Sequence, residues 1–418
     1  MIKRVGWSTF IKSMQHPIDI NQTIDKVAHT AVKYLHRLAK TGIPAPSSSA
    51  PWSKKHLHQV YRRGAHSSAL HQFKDFSLDD MLYMVHKKYW VVLPFHTVKH
   101  LPNLKLAPAG VVPQRTRRPR PIIDYTFTGV NQSSAPLAPM KAIQFGSTIH
   151  RILRHIAYSN PKFGPVLMSK IDLSDGYYRV PLSPSAALEL AVVLPYLKGK
   201  GNKSLIGIPL VLPMGWKYSP PFFCAYTETA TDLVNSTLTL QTPLPPHTLE
   251  QTINAISVPV EPASAQALHP HQTYLATQPI SYSDVYMDDF IGLSQAPTSI
   301  TTQRAMLHGI DAVFRGHALP GDAPNQTAVI STKKLAAGDG TWSTQKVILG
   351  WLLDTADMTL RLPNHKAQCL IDIIQTFLPL KRTSRRKWQR LLGELRHLVV
   401  AIPRARYLFS IIQNILVE

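Results

Sequence analysis

The stretch Val285-Tyr286-Met287-Asp288-Asp289-Phe290-Ile291-Gly292-Leu293 places two adjacent carboxylates between two apolar runs. Asp is depleted in strands and common in turns, whereas the β-branched and aromatic residues on either side favour strands. The pattern therefore predicts a β-hairpin with Asp288 and Asp289 at its tip. Two carboxylates at a tight turn are a suitable place to hold a metal ion.

A second pair of acids shows that adjacency alone does not indicate a metal site. Asp79-Asp80 follows Ser77 and precedes the apolar residues Met81 and Leu82. Acids near a helix N-terminus interact favourably with the helix dipole, so this pair is interpreted as the solvated first turn of a helix. The hairpin acids therefore need a partner from elsewhere in the chain.

Asp172 is the candidate partner. It follows an apolar run at residues 166–168 and Ile171, and Gly176 permits a sharp departure of the backbone soon after it. A strand that ends on an acid and then turns can direct that acid towards the hairpin tip. Considered alone, Asp172 would more often be a turn or cap residue.

A third segment runs from Leu212 to Phe223. Ser219 suits the N-cap of a helix, and the two prolines that follow it suit the first helical turn. The apolar face of this helix begins at Phe222. Gly215 lets another backbone or a ligand approach where a side chain would block it.

In this order the three segments resemble the reverse transcriptase family of retroviruses and retrotransposons. They are similar to the family's first palm motif, its second palm motif and its Tyr-x-Asp-Asp hairpin. Upstream, RPRPIIDYTFTGVNQ (residues 118–132) resembles a fingers motif. Downstream, STKKL (residues 331–335) resembles a motif with a lysine near the triphosphate, and VILGWLLD (residues 347–354) resembles the primer-grip hairpin. Together the matches cover about residues 85 to 410.

The resemblance implies an α+β polymerase right-hand fold with fingers, a palm of antiparallel sheet plus helices, and a helical thumb. A Pro/Ser stretch at residues 41–51 is interpreted as a linker, which makes residues 1–40 a separable N-terminal arm. Residues 41–72 then form the linker and pre-fingers segment, residues 73–360 the fingers and palm, and residues 361–418 the helical thumb.

Local patterns add detail to this layout. In the fingers they predict a helix over Ser77 to His86, a strand over Tyr89 to Leu93 and a basic hairpin at residues 114–120, where arginine forks suit phosphate contact. Residues 241–280 contain seven prolines, which predicts a surface insertion. In the thumb, Thr383 or Ser384 can cap a helix that ends near Pro403.

Phosphoryl transfer to a primer 3′-hydroxyl requires activation of that hydroxyl and neutralisation of the triphosphate. Two Mg²⁺ ions roughly 3.5 to 4 Å apart can do both, and Mn²⁺ can replace them. We expect Asp172 and Asp288, from two separate strands, to bridge the ions, with Asp289 completing the acidic cluster. The expected function is RNA-directed DNA polymerase of a retroelement.

The resemblance also implies a nucleotide site. Its expected members are the backbone amides of Asp175 and Gly176, the side chain of Arg120, Gly215, and a lysine near the leaving group, which is Lys334 or its neighbour Lys333. Tyr177 stands where the family places an aromatic residue that excludes the 2′-hydroxyl of a ribonucleotide, and Tyr178 is expected to be the more buried of the two. Met214 departs from the Gln of retroviral members.

Composition agrees with a nucleic-acid partner. Lys and Arg number 46 against 24 Asp and Glu, which gives a net charge of +22 and a pI near 10.0. A basic balance of this size is typical of proteins that bind nucleic acid. The expected partners are an RNA or DNA template with its primer and deoxynucleoside triphosphates.

No run approaches the ~18 apolar residues of a membrane span, and residues 1–17 lack the apolar core of a secretory signal. The expectation is an intracellular protein, cytoplasmic or nuclear, without a membrane partner. Two cysteines exclude a disulfide framework and a Cys-rich zinc module.

Two alternatives stay open. A viral RNA-dependent RNA polymerase shares the palm, but such enzymes usually have Gly where Met287 stands and an Asp near Tyr177. The other alternative, from a different class, is a catalytically inactive, retroelement-derived protein that binds nucleic acid. The intact acids argue against decay of the site, and primer extension on an RNA template separates the two.

Overall fold

The structure is a computed structural model that describes residues 2–15, 29–114, 118–135, 145–195, 205–254, 275–314, 329–380, 382–398 and 406–414. Its α-helices are α1 Ile2–Val5, α2 Trp7–Met14, α3 Val32–Thr41, α4 Lys54–Arg63, α5 Lys74–His86, α6 Phe95–Val98, α7 Val130–Ser133, α8 Thr148–Ala157, α9 Pro184–Glu189, α10 Ser219–Thr239, α11 Glu250–Asn254, α12 Ser299–Val313, α13 Thr332–Ala336, α14 Asn364–Phe377, α15 Arg385–Leu398 and α16 Arg406–Asn414. Its strands are β1 Trp90–Pro94, β2 Leu106–Val112, β3 Arg120–Ile123, β4 Leu167–Asp172, β5 Ala191–Val193, β6 Leu205–Pro209, β7 Ser281–Tyr286, β8 Asp289–Ser294, β9 Gln345–Ile348, β10 Trp351–Asp354 and β11 Thr359–Arg361. The mixed helical and sheet content expected from the sequence is confirmed.

The central sheet has the order β4-β8-β7 and is antiparallel. Apolar residues such as Ile171 and Phe290 are buried in its strands, and the acids lie at one end of the sheet. Helices α10 and α12 pack together against this sheet. They approach so closely that a Cβ at Gly309 would lie 2.4 Å from Val234. This packing fixes the sheet whose end carries the hairpin acids.

A second sheet has five strands in the order β1-β6-β5-β2-β3. Strands β2 and β5 are parallel and the other pairs are antiparallel. The third sheet, β11-β10-β9, is joined to β4 through the paired backbones of Met168 and Ser343. The expected hairpin at residues 347–354 is confirmed by the β9–β10 pairing.

The expected separability of the N-terminal arm is wrong for its described residues. Phe10 and Ile11 are buried in the same apolar cluster as Leu106 of β2, and Leu35 is buried in the main core. The indole of Trp7 also donates a hydrogen bond to the Pro184 carbonyl at 2.6 Å. Apolar residues of the amphipathic helices α2 and α3 therefore pack this segment against the rest of the protein. The Pro/Ser stretch that follows gave no indication of this packing.

The Pro/Ser stretch itself is packed and is not a free linker. Ile43 and Ala45 are buried. The Ile43 amide donates to the Pro181 carbonyl at 2.8 Å, and the Ala135 amide donates to the Pro46 carbonyl at 2.8 Å. Proline-rich composition here provides extended backbone that pairs with loops of the core.

Three local expectations need correction. Helix α5 begins at Lys74, so Asp80 lies within it and is buried 3.4 Å from Arg118, rather than solvated in a first turn. Helix α10 has Tyr218 as its N-cap, because the Ser219 hydroxyl instead donates to the Pro213 carbonyl at 2.6 Å. The strand expected at Tyr89 begins one residue later.

The proline-rich segment is only partly a surface insertion. Within its described residues, Ile253 is buried, His247 lies 2.9 Å from Asp311, and Glu250 forms an ion pair with Arg304 at 2.7 Å. The two polar contacts fasten residues 247–250 to α12. The basic hairpin tip at residues 115–117 and residues 255–274 lie outside the described residues.

The C-terminal region is helical, as expected. Helix α15 contacts both α14 and α16, and the Trp388 indole donates to the Ile412 carbonyl at 3.0 Å. The Lys387 amide donates to the Ser384 hydroxyl at 3.3 Å, so Ser384, one of the two candidates, caps α15. Its expected end near Pro403 lies outside the described residues.

Candidate active site

The hairpin acids lie at the tip of a two-residue turn, as the sequence predicts. Tyr286, the last residue of β7, is paired with Asp289, the first of β8. Met287 has a φ of 60°, in the left-handed region that such turns require and that an unbranched side chain tolerates better than a β-branched one. Asp288 therefore stands at the tip, and Asp289 follows it at the start of the strand.

Asp172 is brought to the same end of the sheet. It ends β4, and its register partner on β8 is Asp289. The amide of Leu173 donates to the Asp288 carbonyl at 3.1 Å. The expected convergence of three acids from two strands is thus a consequence of the β4–β8 pairing.

Burial dominates the electrostatics of Asp172. The residue is 4% exposed, and burial raises the pKa of its carboxyl to about 6, against the opposing effect of Lys334 and with support from Asp288 and Asp289. Since the folded pKa lies above the ordinary value, ionising this group costs stability as the pH rises from about 4 to about 6. A bound cation would offset that cost.

Asp288 differs because it is exposed to the cleft. Desolvation by the surrounding protein still raises the pKa of its carboxyl, followed in size by repulsion from Asp289. Two neighbouring carboxylates with raised pKa values are typical of functional sites.

Two lysines contact the acids. The Lys334 ammonium forms an ion pair with Asp172. Lys170, two residues before Asp172 on β4, has its Nζ 3.3 Å from Asp289 and 3.7 Å from Asp339. Among the described residues no group of three or more acidic, His or Cys side chains is placed to hold a metal ion. The two ammonium groups engage two of the three carboxylates. The donors themselves are hard carboxylate oxygens, which suit Mg²⁺ or Mn²⁺.

A cleft of about 710 Å³ opens beside the acids. It is lined by Arg120, Gly146, Ile149, Gly176, Tyr177, Met214, Phe223, Tyr286, Met287, Asp288, Asp289, Leu349, Gly350, Trp351 and Lys366. Among the expected site residues, Arg120, Gly176 and Tyr177 therefore share a wall with the hairpin acids. Asp172, Asp175, Gly215 and Lys334 are not part of its lining.

Tyr177 presents its ring to this cleft. The ring packs edge-on against Phe223 with centroids 4.9 Å apart, and its hydroxyl lies 4.0 Å from the Met287 sulfur. Tyr177 and Tyr178 both keep some exposure, but protein surrounds Tyr178 more completely, as expected. Tyr178 packs against Tyr89, away from the cleft lining.

The turn after β4 differs from the expected one. Asp175, not Gly176, has the left-handed backbone, with φ 55° and ψ 35°. Gly176 is required for packing, since a Cβ there would lie 2.8 Å from Phe223.

Gly215 serves a close approach of backbone to backbone. Its φ is +101°, and a Cβ there would lie 2.2 Å from the Ile123 carbonyl oxygen. The Asn131 side chain holds the same loop by donating to the Gly215 carbonyl at 3.0 Å and accepting from the Lys217 amide at 3.0 Å. The sequence left open whether Gly215 makes room for another backbone or for a ligand, and the structure shows that it makes room for the backbone of Ile123.

Sequence reasoning missed several residues at the site. Lys170 and Lys366 are basic residues without a distinctive motif. Tyr83 and Tyr89 both donate to the carboxylate of Asp175. The only sequence signal for these tyrosines was their place in the expected fingers, which gives no information about contacts with a turn about 90 residues away.

No helix in the described ranges is long and apolar enough to cross a membrane.

No family model matches the chain, and no curated protein matches it. Solved structures do match. A foamy viral protease-reverse transcriptase dRH in complex with ds DNA is 14% identical, with a TM-score of 0.43 over 93% of this chain and 52% of that one. A foamy viral protease-reverse transcriptase in complex with dsDNA is 13% identical, with a TM-score of 0.43 over 93% of this chain and 61% of that one. The chain thus spans between half and two thirds of these structures, and so distant a likeness leaves the function to be argued from the site.

Proposed function

We propose that the chain is an RNA-directed DNA polymerase of a retroelement, which adds deoxynucleotides to a primer 3′-hydroxyl. The observation that carries the proposal is the placement of Asp172, Asp288 and Asp289 at one sheet end, beside a cleft large enough for a nucleotide. The net charge of +22 supports a nucleic-acid partner. In this proposal residues 73–360 form the fingers and palm, and residues 361–418 form the thumb.

Asp172 and Asp288 would hold two Mg²⁺ or Mn²⁺ ions, with Asp289 completing the cluster. When bound, such ions activate the 3′-hydroxyl and neutralise charge on the triphosphate. The raised carboxyl pKa values support this role, because a bound cation would favour the ionised form of both carboxyl groups.

The remaining site residues would bind and orient the nucleotide. The exposed Arg120 guanidinium suits a phosphate fork, and the backbone amides of Asp175 and Gly176 suit phosphate oxygens. Lys334 would exchange its Asp172 partner for a phosphate oxygen near the leaving group. Gly215 would act indirectly, by fixing the loop that carries Met214 into the cleft.

One observation favours the inactive alternative. The ion pairs of Lys334 with Asp172 and of Lys170 with Asp289 neutralise the acids without a metal. A protein that only binds nucleic acid could retain that arrangement. Primer extension on an RNA template with purified protein separates the two functions, because the alternative predicts binding of template and primer with no extension.

A sugar-excluding role for Tyr177 predicts that Tyr177→Ala will incorporate ribonucleotides that the parent rejects. The clash with a 2′-hydroxyl is steric, so the ratio of deoxy to ribo incorporation should fall about tenfold or more, whereas Tyr177→Phe, which keeps the ring, should retain it. Single-nucleotide extension with paired deoxy and ribo substrates measures the ratio. An unchanged ratio in the alanine variant would reduce Tyr177 to a packing residue.

Binding of template and primer should weaken steeply with salt, because Lys and Arg displace condensed counterions from phosphates. With ~6 to 10 phosphate contacts, affinity should fall ~10³ to 10⁵-fold between 50 and 200 mM salt. Lys366→Gln, at the cleft, should reduce the logarithmic slope by about one contact, and Lys54→Gln, outside the cleft lining, should not. Fluorescence anisotropy of a labelled duplex measures the affinity at each salt concentration. An affinity that does not change with salt would mean that the positive net charge does not serve to bind nucleic acid.

A further inference from the structure

Two tyrosines join the α5–β1 region to the turn that follows β4. The hydroxyl of Tyr83, on α5, donates to Asp175 Oδ2 at 2.9 Å. The hydroxyl of Tyr89, directly before β1, donates to the same oxygen at 3.0 Å. Side chains from one part of the fold thus share a single carboxylate oxygen in another.

Asp175 needs such support. Its left-handed backbone is unfavourable for most residues with a side chain, although Asp and Asn tolerate it better than others. Hydrogen bonds to a carboxylate are stronger than bonds between neutral groups. Burial raises the pKa of Tyr83 to about 12 and also raises that of Tyr89, so both phenols remain protonated donors.

Tyr89 is fixed from several sides. It is 8% exposed, and its carbonyl accepts a hydrogen bond from the Leu210 amide at 2.8 Å. Its ring packs against Tyr178 with centroids 4.8 Å apart, and the Tyr178 amide donates to the Asp175 carbonyl at 2.8 Å. Burial, a backbone hydrogen bond and a ring contact therefore hold this donor in place beside the turn.

The next two residues of the turn, Gly176 and Tyr177, line the cleft beside Asp288, whereas Asp175 does not. Holding the Asp175 carboxylate on the phenols keeps a negative charge out of the cleft wall. It also fixes the backbone from which Gly176 and Tyr177 reach the cleft.

We infer that Tyr83 and Tyr89 are positioning residues for the incoming nucleotide, which act by holding Asp175 and hence the placement of Gly176 and Tyr177. This inference rests on the proposed polymerase function. It assigns a substrate-dependent role to two residues that touch no reacting atom.

The test is the double variant Tyr83→Phe/Tyr89→Phe, which removes both hydroxyls and keeps both rings. The KM for deoxynucleotides should rise about tenfold or more, while kcat changes less than about threefold and the Kd for template and primer stays the same. Tyr158→Phe, a half-exposed tyrosine outside the cleft lining, is the matched control and should have the parent's KM.

Two substitutions of the acceptor test whether its oxygen and its backbone conformation set the KM. Asp175→Asn keeps an acceptor oxygen and tolerates the left-handed backbone, whereas Asp175→Ala loses both. The rise in KM should therefore be smaller for Asn than for Ala. Equal KM values for the two variants would contradict the inference.

Amide hydrogen exchange of residues 173–180 needs no catalysis and separates the inference from the proposed function. Exchange should be faster in the double tyrosine variant than in the parent and in Tyr158→Phe. A parent that fails to extend primers removes the polymerase proposal, and with it a role in nucleotide binding, while the exchange result still shows whether the tyrosines hold the turn. An active parent whose double variant keeps the same KM and the same exchange overturns the inference alone.

Discussion

Asp172→Asn and Asp288→Asn should each abolish metal-dependent DNA synthesis while leaving the fold intact. Asparagine has nearly the same volume as aspartate but lacks the anionic oxygens that would bridge two cations. The loss of rate should exceed the ~10 to 100-fold that is typical when a residue that only hydrogen-bonds to a metal ligand is substituted. Primer extension on an RNA template in Mg²⁺ and in Mn²⁺ measures it.

The controls for this experiment follow from burial. Removing the charge of Asp172 also removes the cost of ionising a buried carboxyl, and its partner Lys334 is about half exposed and can be solvated. The melting temperature and the affinity for template and primer should therefore stay close to the parent's. Asp79→Asn, at an exposed position of α5, should extend primers normally. Parent-like synthesis by either site variant would remove the catalytic assignment.

Gly215→Ala should have the largest effect on stability. The new Cβ would meet the Ile123 carbonyl oxygen, which belongs to the backbone of β3 and cannot rotate away. The clash adds to the strain of a φ of +101°, so the free energy of unfolding should fall by more than about 3 kcal/mol. Denaturant unfolding followed by circular dichroism measures the change.

Gly164→Ala provides a control for the backbone strain alone. Gly164 has a φ of +84°, but nothing lies within 4 Å of its added Cβ. Its ψ of −176° places it in a region of backbone space that is essentially restricted to glycine, so the variant should lose about 1 to 3 kcal/mol. Equal losses for the two variants would mean that β3 moves away from the new methyl group and that Gly215 is not a packing constraint.

The sequence predicted those parts of the fold that depend on local chemistry. The hairpin around Asp288, the strand that ends at Asp172 and the helix that starts near Ser219 follow from alternation, turn residues and prolines, which are properties of short stretches. The proximity of Asp172 to Asp288 and Asp289 could also be predicted, because each of these acids lies at the end of an apolar run.

Other features depend on contacts between distant segments, which a single sequence does not display. Ile11 and Leu35 are buried against residues that lie much later in the sequence. The left-handed backbone falls on Asp175 rather than Gly176 because Phe223 needs the space at Gly176 and the phenols stabilise Asp175. The N-cap of α10 is Tyr218 and not the expected Ser219, and this difference likewise depends on a contact outside the helix, since the Ser219 hydroxyl donates to the Pro213 carbonyl.

The pairing of β4 with β8 also has a kinetic consequence. Asp172 and Asp289 become register partners although more than a hundred residues separate them, and α10 and the proline-rich segment lie between the two strands. Such non-local pairing forms late, since the entropy of closing a long loop must be overcome before the strand contacts can compensate. An emerging chain therefore carries Asp172 for a long time without its neighbours, and the acidic cluster exists only after the second strand has been synthesised and docked.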